Sequence, residues 1–195
     1  MPVIHTMVGD VEVAAETNWG DQDDYCRQAK AELEPSSNIR VVIRVRPPNE
    51  RELALPGGVC VKVDGPNKQV TVTGRPPFTY DIALSLEVTQ EQAFEKVGLE
   101  IVQTAYNGYN ASMFAYGQTS SGKSFSMMGV RGTALVGLIP RIAHLLFYVI
   151  AKTPERQFFV EASFLEICKF YRHSYLDYST PNKFSYNLIF NDSRQ

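Results

Sequence analysis

Eight consecutive residues in the middle of the chain have the types and the spacing that a phosphate-binding loop requires. The octapeptide Gly117-Gln118-Thr119-Ser120-Ser121-Gly122-Lys123-Ser124 fits the pattern G-x-x-x-x-G-K-[ST]. Its two glycines let the backbone turn tightly and bring N–H groups close to phosphate oxygens. Lys123 would neutralise the β- and γ-phosphates of a nucleotide, and the Ser124 hydroxyl would ligate Mg²⁺. The octapeptide therefore predicts a nucleotide site that uses Mg²⁺.

The segments on either side of this loop have the character of the strand and the helix that it must connect. Ala111–Tyr116 is a short apolar run that can serve as a buried strand, and Lys123–Met128 can open a helix. The positive end of that helix adds to the attraction for anions. A glycine- and serine-rich turn that binds nothing is the alternative interpretation, and the flanking segments favour the phosphate site over it.

The composition indicates one globular domain that follows an acidic segment. The chain has 195 residues, 44% of them hydrophobic, which is enough for one sizeable core. Residues 1–37 contain eight acidic and two basic side chains, whereas residues 38–195 contain 13 acidic and 17 basic ones. We expect residues 1–37 to be mostly disordered, with a short helix through Tyr25–Leu33.

Cysteine usage and hydropathy bear on the compartment and on the partners. The three cysteines, Cys26, Cys60 and Cys168, are widely spaced and form neither a metal pattern nor a disulfide framework. We therefore expect reduced thiols and a cytoplasmic protein. The longest apolar stretch, Leu138–Ile150, is too short for a membrane span. Neither a membrane span nor a nucleic-acid partner is expected, although the net charge of −2 does not itself bear on a polyanionic partner.

The N-terminal half of the domain has the pattern of short strands. Ile39–Val45 is rich in β-branched residues and predicts a strand. Val59–Val63 and Gln69–Thr73 alternate around the turn sequence Asp64–Asn67, which predicts a small hairpin. Another extended piece is expected from Phe78.

Two helices and a further strand are predicted around the loop. Thr89 and Gln92 form a capping-box pattern in front of an amphipathic helix over 90–106. A second helix is predicted at Leu138–Lys152, and a strand at Phe158–Ile167. Strands that alternate with helices around a phosphate loop predict a three-layer α/β/α P-loop NTPase fold with a central mixed sheet.

Five blocks of residues, in this order along the chain, together resemble the motor head of the kinesin family. They are Asn38–Pro48 with its R-x-R-P motif, Thr89–Phe94, Gly108–Gly129, Gly137–Arg141 and Ser163–Ile167. Within that family, the R-V-R-P and G-K-S-F-S-M-M-G forms look most like the vesicle-transport class that carries a forkhead-associated domain. The resemblance covers about residues 38–167 and implies a kinesin-like fold.

The resemblance also implies a function and a set of binding residues. It implies an ATP-binding, Mg²⁺-dependent head that walks on microtubules, and hence a cytoskeletal location. Arg44, Arg46 and Pro47 would flank the adenine, and Phe125 stands where the family places a ring that stacks on the base. The segment Gln118–Ser124 would hold the phosphates and Mg²⁺. Taken alone, Arg44 and Arg46 could equally form a solvated strand face, and Phe125 could be a core residue.

The resemblance is expected to end at Ile167, where Cys168-Lys169-Phe170 replaces the family's Tyr-Asn-Glu. The sequence contains neither the switch I pattern Asn-x-x-Ser-Ser-Arg-Ser-His nor the switch II pattern Asp-Leu-Ala-Gly-Ser-Glu. Leu188–Asp192 is an apolar run that ends in Asp but lacks the following glycine of a switch. We therefore divide the chain into an acidic lead (1–37), an incomplete motor domain (38–167) and an unmatched tail (168–195).

Three functions follow from these observations. The first is the ATP-binding part of a microtubule motor, with no catalytic residues of its own because the switches and the microtubule-binding surface are missing from the sequence. The second is a non-motile short isoform that binds nucleotide or a partner. A small P-loop kinase or GTPase is a third, which the absence of Asn-Lys-x-Asp disfavours.

Without later sheet neighbours, the predicted strand Ala111–Tyr116 would have bare, apolar edges.

Overall fold

The computed structural model describes residues 18–32, 39–54, 56, 59–164 and 186–192, with backbone alone for 161–164 and 186–192. The acidic residues 1–17, the predicted element ends at Leu33 and Ile167, and Cys168 lie outside these ranges. The helices are α1 (Gln22–Lys30), α2 (Glu50–Leu53), α3 (Gln90–Ala93), a π-helical turn (Phe94–Gly98), α4 (Leu99–Tyr106), α5 (Lys123–Met127) and α6 (Leu138–Ala151). The strands are β1 (Val42–Arg44), β2 (Val61–Asp64), β3 (Gln69–Val72), β4 (Phe78–Thr79), β5 (Ile82–Leu84), β6 (Phe158–Phe164) and β7 (Tyr186–Asp192).

The strands form three small sheets. Parallel strands β1 and β5 pair with Ile43 opposite Ala83. Antiparallel strands β2, β3 and β4 form the second sheet, whose β2–β3 hairpin confirms the prediction. Asp64 closes its turn by accepting hydrogen bonds from the backbone and the side chain of Asn67. Antiparallel strands β6 and β7 form the third, and β7 contains the apolar run Leu188–Asp192.

The two long helices confirm their predictions closely. The Thr89 side chain accepts from the Gln92 backbone and the Gln92 side chain accepts from the Thr89 backbone, so the capping box forms. From this cap, α3, the π-helical turn and α4 run to Tyr106 without interruption. Helix α6 carries Pro140 in its first turn, where a missing N–H costs nothing. In the part of the chain that the structure describes, every helix falls short of the length and apolar character that crossing a membrane demands.

The core lies between α1, α4 and α6. Its most deeply buried side chains are Ala29, Phe94, Val102, Leu145 and Val149, each at most 1% exposed. These positions recur at helical spacing along three amphipathic helices, so each helix turns one apolar face to the other two. The core therefore brings together the helix before the phosphate loop and the helix after it.

Helix α1 belongs to this core, which differs from the disorder expected across most of residues 1–37. Tyr25 and Cys26 are buried, and the Tyr25 ring packs edge-on against Phe94 at 5.5 Å. Upstream of the helix, the Trp19 ring stacks on His144 at 4.1 Å. The composition of the segment is acidic, but its few apolar side chains fall on one helical face, and tertiary burial outweighs the charge. A short helix was predicted here, and its docking was not.

The predicted buried strand Ala111–Tyr116 does not form. These residues have no regular secondary structure, and the Phe114 and Tyr116 side chains are 86% and 97% exposed. A strand needs a neighbour for its N–H and C=O groups, and no described strand lies beside this one. The central mixed sheet of the predicted three-layer arrangement is accordingly absent from the described ranges, where helices and strands are mixed but the sheets stay separate.

We predict that the α1 contact stabilises the whole domain. Changing Tyr25 to Ala removes a ring that is 5% exposed and a hydroxyl that donates to Glu95 at 2.8 Å. Truncation of a buried aromatic side chain lowers the free energy of unfolding by about 3 kcal/mol. Urea unfolding of both proteins measures this loss. Arg27→Ala, at an exposed position of the same helix, changes it by less than about 0.5 kcal/mol, and equal stabilities for all three proteins would contradict the prediction.

Candidate nucleotide-binding site

The phosphate loop has a backbone that depends on its glycines. Gly117 has φ +152° and Gly122 has φ +96°, both in the region that glycine favours. A Cβ at Gly117 would also lie 2.6 Å from the Ser121 hydroxyl, which would have to move to make room for it. Ser120 adopts φ 65° without being glycine. These turns lead directly into α5, whose N-cap is Gly122.

Lys123 folds back over the loop that precedes it. Its ammonium donates to the backbone oxygens of Gly117 and Gln118, both at 2.7 Å. The first turn of α5 also carries Ser124, which is exposed. The loop therefore surrounds the Lys123 ammonium, and the exposed Ser124 hydroxyl lies next to it in the chain. This combination suits a phosphate group with its Mg²⁺, since one needs a positive charge and the other an oxygen ligand.

Arg44 leaves β1 and enters a network behind the loop. Its guanidinium donates to the Val88 oxygen at 3.2 Å and to the Ser126 hydroxyl at 3.2 Å. The same group lies 5.7 Å from the centre of the Phe125 ring, within the range of a cation–π contact. Burial lowers the pKa of Arg44 from its ordinary value. The side chain stays charged, because the ordinary pKa of arginine is far above neutral pH.

Arg46 connects the loop to α2. Its Nε donates to the Ser120 oxygen at 2.9 Å, and its two terminal nitrogens donate to the Glu52 carboxylate at 2.8 and 2.6 Å. The paired bonds from Arg46, with a further bond from the Asn49 backbone, lower the pKa of Glu52 to about 2. The fork geometry of guanidinium and carboxylate orients Arg46, so Ser120 keeps its hydrogen bond in the left-handed conformation.

A small cavity lies where these elements meet. Its lining includes the predicted base-side residues and part of the loop, namely Arg44, Arg46, Pro47, Ser121, Gly122 and Phe125. Leu86 and Val88 also line the cavity, so the structure brings together groups from three distant parts of the sequence. A larger cavity of about 880 Å³ lies elsewhere, between the β2–β3 turn and β5, and contains none of the predicted site residues. The chemistry of the loop, not the size of the cavity, identifies the candidate site.

The structure places the predicted residues together and adds two that sequence reasoning missed. Gln118, Thr119 and the other loop residues follow one another in the turn, and Pro47 borders the small cavity. The missed residues are Glu52, which orients Arg46, and Gln90, which is 2% exposed and accepts from Arg44 at 2.7 Å. The capping pattern in front of Gln90 located it on a helix, but nothing in the sequence indicated that its side chain is buried.

Comparison with known proteins matches this chain to kinesins. The family model for the kinesin motor domain matches residues 44–191. The chain is 37% identical over 166 residues to kinesin-like protein KIN-12E of Arabidopsis thaliana, covering 77% of this chain and 13% of that protein. It is 36% identical over 139 residues to kinesin-related protein 3 of Dictyostelium discoideum, covering 67% and 12%. With kinesin-like protein KIF16B of Mus musculus it shares 37% identity over 154 residues, covering 67% and 12%.

The chain corresponds to a small part of each relative, since it spans only 12–13% of the length of these three proteins. The matched range ends at residue 191, beyond Ile167, where the resemblance of motifs was expected to end. The divisions at residues 37 and 167 and the subclass remain predictions.

We predict that the Glu52 carboxyl titrates at about pH 2 because Arg46 binds its charged form. A lowered pKa stabilises the fold above the ordinary value of about 4.5, and this contribution disappears as the pH falls toward 2. In the variant Arg46→Met the pKa returns toward the ordinary value. Carbon-13 NMR of the glutamate side chains between roughly pH 1.5 and pH 7 measures the Glu52 titration in the wild type and in the variant.

The control for this titration is Arg51→Met, which removes an exposed arginine next to Glu52 in α2. Arg51 is not among the groups that lower the pKa of Glu52, so this variant keeps the wild-type titration. A wild-type Glu52 that titrates near its ordinary value would contradict the geometry of the pair.

Proposed function

This chain belongs to the kinesin motor domain family, and we propose that its loop 117–124 binds ATP together with Mg²⁺. The observation that carries the proposal is the Lys123 ammonium, held at 2.7 Å from two backbone oxygens of a loop that turns at two glycines. On binding, Lys123 would exchange these oxygens for phosphate oxygens, which carry more negative charge. Ser124 would supply the hydroxyl ligand to Mg²⁺, and the bound ion would neutralise phosphate charge.

The base would occupy the side of the loop where Phe125 lies. The Phe125 side chain is 41% exposed, and the Arg44 guanidinium lies 5.7 Å from the ring centre. An exposed aromatic face that is supported from behind suits stacking on a flat heterocycle. Arg46 and Pro47 complete the border of the small cavity next to it. We therefore propose Arg44, Arg46, Pro47 and Phe125 as the base-side residues.

Movement along microtubules is proposed for the complete protein. The relatives are named as kinesins, and this chain spans 12–13% of the first three. The 195 residues contain neither switch pattern, and the switch residues of a motor sense the transferred phosphate and orient the attacking water. We propose nucleotide binding for the 195 residues, and ATP turnover and a microtubule partner in the cytoskeleton for the complete protein.

Nucleotide binding is tested by titrating fluorescent ATP into the purified chain in the presence of Mg²⁺. We expect saturable binding, and a loss of affinity of about tenfold or more in Lys123→Ala because a charge-assisted contact to phosphate is removed. Lys62→Ala, at an exposed position of β2, binds like the wild type. Equal affinity in the Lys123 variant would refute the assignment of the loop.

Turnover is tested by measuring phosphate release with and without polymerised tubulin. We expect the 195-residue chain to show no stimulation by microtubules, because no group in its sequence matches the switch patterns. A stimulated rate would show that other residues of this chain perform those roles. An active kinesin motor in the same assay serves as the positive control.

A further inference from the structure

The side chain of Gln90 joins three separate segments around the proposed nucleotide site. Its Oε1 accepts from the Arg44 guanidinium at 2.7 Å. Its Nε2 donates to the Phe125 backbone oxygen at 2.7 Å and to the Leu135 backbone oxygen at 3.1 Å. The Gln90 residue is 2% exposed and its three bonds are partly buried, so leaving its amide unpaired there is costly.

These partners also determine the orientation of the amide. The acceptor faces a cation, and the two N–H donors face two carbonyl oxygens. A flipped amide would place Nε2 against the guanidinium and Oε1 against the carbonyls, so that donors would meet donors and acceptors would meet acceptors. Only a side chain that both accepts and donates at this length satisfies all three partners.

Two of the three partners belong to the base side of the site. Arg44 is the cation beside the Phe125 ring, and the Phe125 backbone is held by Gln90 itself. The phosphate side has different contacts, because Lys123 is held by Gly117 and Gln118. The network of Gln90 therefore reaches the aromatic ring and its cation and does not reach the lysine.

We propose that Gln90 is a positioning residue that sets the affinity of the site for the purine base of ATP. It acts through Arg44 and Phe125, without touching the nucleotide, by holding the ring and the guanidinium in their relative places. The inference rests on the proposed ATP site and adds to it the residue that governs recognition of the base. Its specific consequence is a loss that affects ligands with a base and spares ligands without one.

The test compares Mg²⁺-ATP with Mg²⁺-tripolyphosphate, which has the phosphates and no base, in competition with fluorescent ATP on the full 195-residue chain. In Gln90→Leu we expect the affinity for ATP to fall about tenfold, as a buried network bonded to a charged group is lost. The affinity for tripolyphosphate changes less than about twofold, because the contacts of Lys123 are untouched.

The matched control is Gln103→Leu. Gln103 lies on α4, which continues the helix that begins with Gln90. Its Nε2 likewise donates to two backbone oxygens, those of Ala31 and Glu32, at 3.3 Å. The Gln103 side chain is half-buried, and its bonds go to these two oxygens and not to the loop, so its removal leaves both affinities unchanged. Comparing the two variants distinguishes the effect of losing any glutamine on this helix from the effect of losing the Gln90 network.

A second variant, Gln90→Glu, keeps the shape and the acceptor for Arg44 but turns an oxygen toward the Phe125 and Leu135 carbonyls. It is expected to show the same loss that is confined to ATP, and it decides the question if Gln90→Leu does not fold by circular dichroism. Equal losses for both ligands, unchanged ATP affinity, or unfolding of both variants would leave Gln90 a purely structural role and overturn the inference. A wild-type chain that binds neither ligand would overturn the proposed function as well.

Discussion

Burial of one apolar face shared by α1, α4 and α6 is the constraint on which the rest of the structure depends. Phe94, Leu145 and Val149 are at most 1% exposed, and they come from both sides of the phosphate loop in the sequence. Hydrophobic burial is the main favourable term in folding and has no direction of its own, so the helical spacing of these side chains decides how the helices meet. Once α4 and α6 are packed, both ends of the segment that contains the loop are held.

Polar bonds refine what the core brings together. Arg44, Arg46 and Lys123 each carry a positive charge to the candidate site, and each is bonded to an acceptor within the chain. Arg141 binds the loop before α6 in a similar way, since its buried guanidinium donates to the Ala134 and Val136 backbone oxygens. Partly buried cations need such acceptors. The candidate site is therefore a set of cations whose positions are set by neighbouring oxygens.

Prediction from sequence succeeded where local signals and final structure agree. Thr89 and Gln92 predicted a helix start, and Asp64–Asn67 predicted a hairpin turn, because capping and turn chemistry act between residues that are three apart. It failed at Ala111–Tyr116, where strand formation depends on a partner strand that the described residues do not supply. It also missed the docking of α1, since the acidic composition of residues 1–37 concealed an apolar face that includes Tyr25 and Ala29.

The candidate site divides in the same way. The sequence by itself predicted the phosphate loop, since Gly117, Gly122, Lys123 and Ser124 lie within one short segment and their spacing is a local signal. It also determined membership of the kinesin motor family, through blocks of residues in a characteristic order. Only the tertiary structure decided that Gln90 bridges Arg44 and the Phe125 backbone, because the three residues are far apart in the chain. A hydrogen bond acts over about 3 Å, so such contacts exist only after the helices have packed.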